Sequence, residues 1–124
     1  MILYCDGYCL ESNPSEWGGG FTVFNNKNKL IYTEQILKKG FTNNEAELLG
    51  IHQAAKLAKK RDTIITDSQN CIWWIRKGFS KARPDLDKVI LESQKCVIGK
   101  KLKLIWQPRE FNLAGIYNEE QSFD

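Results

Sequence analysis

Three acidic residues stand at positions where their carboxylates could converge on a divalent cation. Asp67 follows the β-branched run Thr63–Thr66, and a helix-compatible segment comes directly after it, which delivers an acidic side chain to the carboxyl edge of a sheet. The strand-like residues 2–6 also end in an acid, Asp6, and Glu47 lies near the start of the intervening helical pattern. Carboxylate oxygens are the preferred ligands of hard cations, so these three acids predict a cation site.

The segments around these acids predict how they are brought together. Residues 2–6, 18–24 and 29–37 have the pattern of three antiparallel strands, with turn residues at 25–28 and glycines that indicate a bulge or a close backbone approach near the start of the second. A helix capped by Thr42 or Asn43 follows, with apolar residues at helical spacing and Glu47 at the edge of this buried stripe. The remaining predicted elements are strand 63–66, helix 68–78, helix 86–98, strand 102–106 and helix 113–120.

This order predicts an α/β fold with a mixed five-stranded sheet. A three-stranded antiparallel meander is joined by two parallel strands, and helices cover both faces. A right-handed crossover from the meander would make the fourth strand parallel to the first. Asp6 and Asp67 would then lie side by side.

The composition limits which classes of protein this chain can belong to. The chain has 124 residues, which predicts one domain over residues 1–124, and its 42% hydrophobic and 27% charged residues are typical of a globular fold. We find no membrane-spanning run and expect no signal peptide, so we expect a cytoplasmic protein whose four cysteines are free thiols. The net charge of +3 permits an anionic partner without identifying one.

Five motifs, in this order along the chain, resemble those of the ribonuclease H type 1 family. They are Tyr4-Cys5-Asp6-Gly7, Gly18-Gly19-Gly20, Thr42-Asn43-Asn44-Glu45-Ala46-Glu47-Leu48, Thr66-Asp67-Ser68-Gln69 and Trp106-Gln107-Pro108-Arg109-Glu110-Phe111-Asn112. The resemblance implies a ribonuclease H-like fold and endonucleolytic hydrolysis of the RNA strand of an RNA–DNA hybrid by two Mg²⁺ ions, with Mn²⁺ as a possible substitute. Asp6 would bridge both ions, and Glu47 and Asp67 would complete the coordination. Two-metal hydrolysis independently requires such clustered carboxylates.

The resemblance also implies which residues contact the hybrid, and we expect the protein to act as a monomer. Asn44, Ser68 and Gln69 match positions that contact the 2′-hydroxyls of the minor groove, and Gly7 and Arg109 are further expected contacts. Each polar residue has a structural alternative, because Asn44 could simply start a helix and Ser68 could cap one. The basic and aromatic segment after Asp67 is expected to neutralise phosphate, with at least one of its two tryptophans in the core.

Two positions depart from the family pattern. Family members commonly carry a fourth acid at the start of the last helix, where this chain has Gly115, and we expect Asn118 to fill that position, with Glu119 as its competitor. The loop where relatives place a histidine or an arginine contains Arg109, which cannot exchange protons near neutrality and would act on the phosphate or leaving group electrostatically. His52, inside the first helix, is expected to be structural.

Two other classes of function compete with the nuclease. A catalytically weak or inactive module that binds hybrid or double-stranded RNA could keep this fold, although three carboxylates facing a polyanion would not help it bind. A phosphoryl-transfer enzyme acting on small molecules is disfavoured, because no phosphate-cradling glycine loop precedes a helix.

Overall fold

Five strands form one mixed sheet in the order β3-β2-β1-β4-β5. The computed structural model describes residues 1–27, 29–112 and 114. The strands are β1 Ile2–Cys9, β2 Gly19–Asn25, β3 Leu30–Ile36, β4 Thr63–Thr66 and β5 Lys103–Trp106. The first three form the predicted antiparallel meander, and β4 pairs in parallel with both β1 and β5. The prediction of a mixed five-stranded sheet is therefore confirmed.

In the part of the chain that the structure describes, three α-helices connect the strands: α1 Asn43–Leu57, α2 Gln69–Lys77 and α3 Asp87–Gly99. Thr42, one of the two capping residues that the sequence allowed, caps α1 by accepting a hydrogen bond from the Glu45 N–H at 3.2 Å. Ser68 caps α2 in the same way, and Gly78 ends that helix in the left-handed conformation, with φ of 88°. A short 3-10 helix, Pro84–Leu86, precedes α3.

All three helices contribute to one apolar core on the same face of the sheet. Strand residues that share this face by register include Leu3, Cys5, Val23 and Ile64, and they cluster with residues from each helix. The sequence also predicted a last helix, residues 113–120. Of that segment, only Ala114 lies within the described residues, and it is fully buried.

The length of β1 corrects one expectation about Asp6. The sequence placed Asp6 at the end of its strand, but β1 continues to Cys9 because it keeps pairing with β2 as far as Gly19. β4, by contrast, ends at Thr66, directly before Asp67. The parallel register pairs Tyr4 with Ile65, so Asp6 stands opposite Asp67 although it lies in mid-strand.

The glycines at the start of β2 permit close backbone approach, one of the two alternatives inferred from the sequence. Gly18 has a φ of 114°, and a Cβ there would overlap the Ile36 carbonyl. A Cβ on Gly20 would stand 2.6 Å from the Tyr8 hydroxyl oxygen. The irregularity in register falls elsewhere, between Val23 and Phe24.

No helix within the described ranges has the length and apolar character needed to cross a bilayer.

Candidate metal and nucleic-acid site

The three predicted acids come together beside the carboxyl end of β4. One carboxylate oxygen from each of Asp6, Glu47 and Asp67 lies within 4.8 Å of the others. Asp6 and Glu47 are buried, and Asp67 is partly exposed. Three different elements supply them, namely the middle of β1, the first turns of α1 and the residue after β4. We call these residues the acid cluster.

Glu47 shows that the acid cluster is short of positive charge. Within residues 1–27, 29–112 and 114, its Oε2 atom is a buried side-chain oxygen without a hydrogen-bond partner. Burial raises the pKa of Glu47 well above its ordinary value, and the charges of Asp6 and Asp67 raise it further. A hydrogen bond from the Gly7 N–H opposes this shift. The arrangement suits a bound cation, which would supply the missing partner and relieve the repulsion.

Arg109 contacts the same cluster from the loop after β5. Its Nη1 lies 3.2 Å from Oδ1 and 3.1 Å from Oδ2 of Asp6, and 3.6 Å from Oδ2 of Asp67. The Arg109 side chain is 37% exposed, whereas that of Asp6 is fully buried. The sequence predicted an electrostatic role for this arginine towards phosphate, but it gave no sign of these ion pairs.

Three hydrogen bonds attach the Arg109 loop to the sheet. The Gln107 N–H donates to the Thr66 carbonyl at 2.9 Å, and Nε1 of Trp106 donates to the Asp67 carbonyl at 3.0 Å. Nδ2 of Asn112, a fully buried residue, donates to the Cys5 carbonyl at 2.9 Å. The loop therefore holds Arg109 at a fixed place relative to Asp6 and Asp67.

An open groove with a volume of about 1320 Å³ runs over the acid cluster. All five residues expected to contact nucleic acid line it: Gly7, Asn44, Ser68, Gln69 and Arg109. Glu47 and Asp67 also line it, while the fully buried Asp6 lies beneath its surface. The groove thus brings the predicted contact residues and the acids to one surface.

One feature of the groove was missed by the sequence interpretation, and one alternative that it left open for Ser68 is observed. Thr33 and Gln35 of β3 also line it, and the alternation of residues along that strand was the only signal that could have indicated them. Ser68 acts as a helix cap, because its Oγ accepts from the Cys71 N–H at 3.2 Å. Gln69 lies exposed at the first position of α2, where its amide is available to a ligand.

The basic and aromatic segment after Asp67 divides between core and surface. Trp74 packs against the apolar core, whereas Trp73 is 57% exposed with Nζ of Lys77 at 5.7 Å from its ring centroid. The expectation of at least one core tryptophan is confirmed. Arg83 forms ion pairs within the protein, with its Nη2 3.2 Å from Oε1 of Glu45 and 2.9 Å from Oδ2 of Asp85.

The remaining predicted residues fall outside the groove or outside the described residues. His52 on α1 pairs with Glu92 on α3, with Nε2 3.1 Å from Oε2, and is mostly buried, as expected of a structural residue. Asn118 and Glu119, the two candidates for a fourth ligand, lie outside the described residues.

Comparison with known proteins gives one family. A model of the RNase H family matches residues 1–110. A comparison with curated protein sequences gave no match. Among solved structures, RNase H1 of the archaeon Halobacterium salinarum is 19% identical, with a TM-score of 0.69 over 99% of this chain and 96% of that one.

Two further solved structures share the fold. The N-terminal RNase H domain of Rv2228c from Mycobacterium tuberculosis, solved as a fusion with maltose-binding protein, is 22% identical with a TM-score of 0.67, covering 96% of this chain and 92% of that one. LC11-RNase H1, isolated from compost by a metagenomic approach, was solved in complex with an RNA/DNA hybrid. It is 20% identical with a TM-score of 0.65, covering 96% of this chain and 91% of that one.

Proposed function

Because this chain belongs to the RNase H family, we propose that it cuts the RNA strand of RNA–DNA hybrids internally, using two divalent metal ions. The observation that carries the proposal is the acid cluster, in which three carboxylates converge and one buried oxygen of Glu47 has no partner among the described residues. The hybrid bound to LC11-RNase H1, which shares the fold, supports the choice of substrate.

The acid cluster supplies the ligands that Mg²⁺ or Mn²⁺ requires. Asp6 would hold both ions, Glu47 and Asp67 would complete the coordination, and Asn118 remains our proposal for the fourth ligand. When bound, the ions would activate a water molecule and stabilise the leaving oxygen. The protein's own contribution is to hold the three carboxylates in place from three separate elements.

The groove residues would position the hybrid over the acids. Asn44 and Gln69 flank the cluster, and their amides can both donate to and accept from the 2′-hydroxyls that distinguish RNA from DNA. Gly7 lets the backbone of β1 approach α1 closely beside the groove, because a Cβ there would stand 2.5 Å from the Glu47 backbone nitrogen. Arg109 would bind phosphate through its charge, because a guanidinium does not release a proton near neutrality.

The specific observation that favours a second function is the ion pair of Arg109 with Asp6. A guanidinium that permanently neutralised the acids would leave a module that binds hybrid or double-stranded RNA without cutting it. The two functions differ in whether the bound hybrid is cut.

The test is cleavage of a labelled RNA–DNA hybrid in Mg²⁺ or Mn²⁺, with double-stranded DNA and double-stranded RNA of matched sequence as controls. The intact protein should cut the hybrid selectively, and Asp6→Asn should abolish cutting. Glu16→Gln makes the same acid-to-amide change at a largely exposed position, with its carboxylate 3.8 Å from Lys39, and should leave cleavage unchanged. Hybrid binding without cutting in either metal would establish the binding module instead.

A further inference from the structure

The Arg109 guanidinium lies in front of the Asp6 carboxylate, so it competes with a cation for the same two oxygens. Mg²⁺ binds carboxylate oxygens at about 2.0–2.1 Å. Nη1 of Arg109 stands 3.1 Å from Oδ2 of Asp6 and 3.2 Å from Oδ1, so it occupies the space in front of both oxygens. A divalent ion within coordination distance of these atoms would meet a positive charge at contact distance in a partly buried site, where repulsion is strong. The guanidinium and the ion therefore compete for the Asp6 carboxylate.

The side chain of Arg109 can leave the acid cluster without moving its backbone. Before Arg109, the Gln107 N–H donates a hydrogen bond to the Thr66 carbonyl. After it, the Asn112 N–H donates a hydrogen bond to the carbonyl of Arg109 itself at 3.0 Å. The side chain is 37% exposed and lines the groove. Because the backbone is held on both sides, Arg109 would vacate the cluster by rotating its side chain towards the groove.

We infer that Arg109 is a resident counterion of the acid cluster, which divalent ions displace when they bind. The inference rests on the proposed function, because it takes the acid cluster to be a metal site. In the metal-free protein the guanidinium offsets the repulsion among the buried carboxylates. After displacement it lies in the groove, where a phosphate of the substrate is its natural partner. Metal binding and phosphate binding are thereby coupled through one side chain.

Removing the guanidinium should separate its effect on metal affinity from its effect on stability. Arg109→Gln removes the competitor, so the variant should bind Mn²⁺ about five-fold or more tightly than the intact protein, as measured by calorimetric titration. In EDTA the same variant should unfold at a lower temperature, because the carboxylates lose their counterion. An affinity that is equal or weaker in Arg109→Gln would overturn the inference.

Arg83→Gln is the matched control. Arg83 also pairs with a buried acid, Glu45, at 3.2 Å, but outside the acid cluster. This variant should lose stability without a change in Mn²⁺ affinity. A tighter affinity in both variants would mean that general loss of positive charge, and not release of the cluster, is responsible, and would overturn the inference.

A measurement on the intact protein covers the case in which Arg109→Gln fails to fold. The Nε–H signal of Arg109 in a nitrogen-15 correlation spectrum should shift during a Mg²⁺ titration, while that of Arg83 should not. An Arg109 signal that stays in place while Mg²⁺ binds would overturn the inference and leave the nuclease proposal intact. If neither Mg²⁺ nor Mn²⁺ binds at all, both the inference and the metal-dependent function are wrong.

Discussion

Gly7 of β1 lies so close to Glu47 of α1 that a Cβ on the glycine would stand 2.5 Å from the Glu47 backbone nitrogen. The Gly7 backbone also lowers the pKa of the Glu47 carboxyl, against the larger effect of burial. The close contact thus sets the distance between strand and helix beside one acid of the cluster.

Gly7→Ala should therefore damage both the fold and the site. The added methyl group would force α1 away from β1, and we expect the free energy of unfolding to fall by about 1–3 kcal/mol. Urea unfolding measures this loss, and Mn²⁺ titration measures the displacement of Glu47 as a weaker affinity. Gly99→Ala is the control, because a Cβ there meets nothing within 4 Å, and its stability should be unchanged or slightly raised. Equal effects of the two changes would contradict the role of this contact.

Glu47→Gln should stabilise the metal-free protein while abolishing cleavage. Glu47 is buried beside two other acids, so replacing it with a neutral residue of the same shape removes repulsion and an expensive buried charge. A gain of about 1 kcal/mol would raise the unfolding temperature in EDTA by roughly 3–6 °C for a chain of this size. Glu16→Gln, the exposed control, should leave that temperature unchanged. If Glu47→Gln is instead less stable than the intact protein, the Glu47 carboxylate stabilises the fold and the prediction is wrong.

Asn112 should be essential to the position of the Arg109 loop. It is fully buried, its Nδ2 donates to the Cys5 carbonyl, and its Oδ1 accepts from the Ala114 N–H at 2.9 Å. Asn112→Ala leaves buried groups without these partners and should lower the free energy of unfolding by about 2–3 kcal/mol in urea unfolding. Asn112→Asp should be at least as harmful, because it faces the Cys5 carbonyl with an oxygen. The exposed Asn70→Ala should stay within about 0.5 kcal/mol of the intact protein.

The lowered pKa of His52 predicts that the protein loses stability on acidification. Burial lowers the pKa of His52, Lys56 lowers it further, and Glu92 opposes both without cancelling them. In the unfolded chain His52 takes up a proton near pH 6.5, whereas in the folded protein it does so only at a lower pH. The contribution of His52 to the free energy of unfolding is therefore lost as the pH falls from 7 through about 6.5 towards the folded-state pKa. The unfolding temperature of the intact protein should therefore fall relative to that of His52→Gln between pH 7 and pH 5.

Glu92→Gln provides the control for His52. Removing the carboxylate that favours the charged imidazole should make the loss at low pH larger. If the intact protein instead gains stability over His52→Gln on acidification, the ion pair with Glu92 outweighs burial and the prediction is wrong.

Local sequence was enough to predict the elements that carry Asp67 and Glu47. The β-branched run before Asp67 and the cap at Thr42 both act within a few residues, and the parallel crossover then brings Asp67 beside β1. The prediction that Asp6 ends β1 was wrong, because the length of that strand depends on its pairing with β2. This pairing continues beyond the last residue of β1 that pairs with β4. Strand length is a property of the pair and not of one segment.

The contacts of Arg109 and Asn112 could not be predicted from the sequence. Arg109 and Asp6 are 103 positions apart, and Asn112 and Cys5 are 107 apart. A charged residue in a loop has many possible partners, and nothing in its neighbours along the chain selects one. Only the packed sheet shows that the residue proposed to bind phosphate already neutralises an acid.

The acid cluster draws its members from the first strand, the first helix and the end of the fourth strand, so none of the segments holds the site alone. During synthesis on a ribosome, a chain that has emerged only through α1 would present Asp6 and Glu47 without Asp67 and would lack the third carboxylate. The site forms when β4 docks against β1, a non-local contact that must wait for about 60 residues to close into a loop. Tight cation binding would accordingly report that β4 has docked, and a nascent chain that ends after α1 would bind metal more weakly.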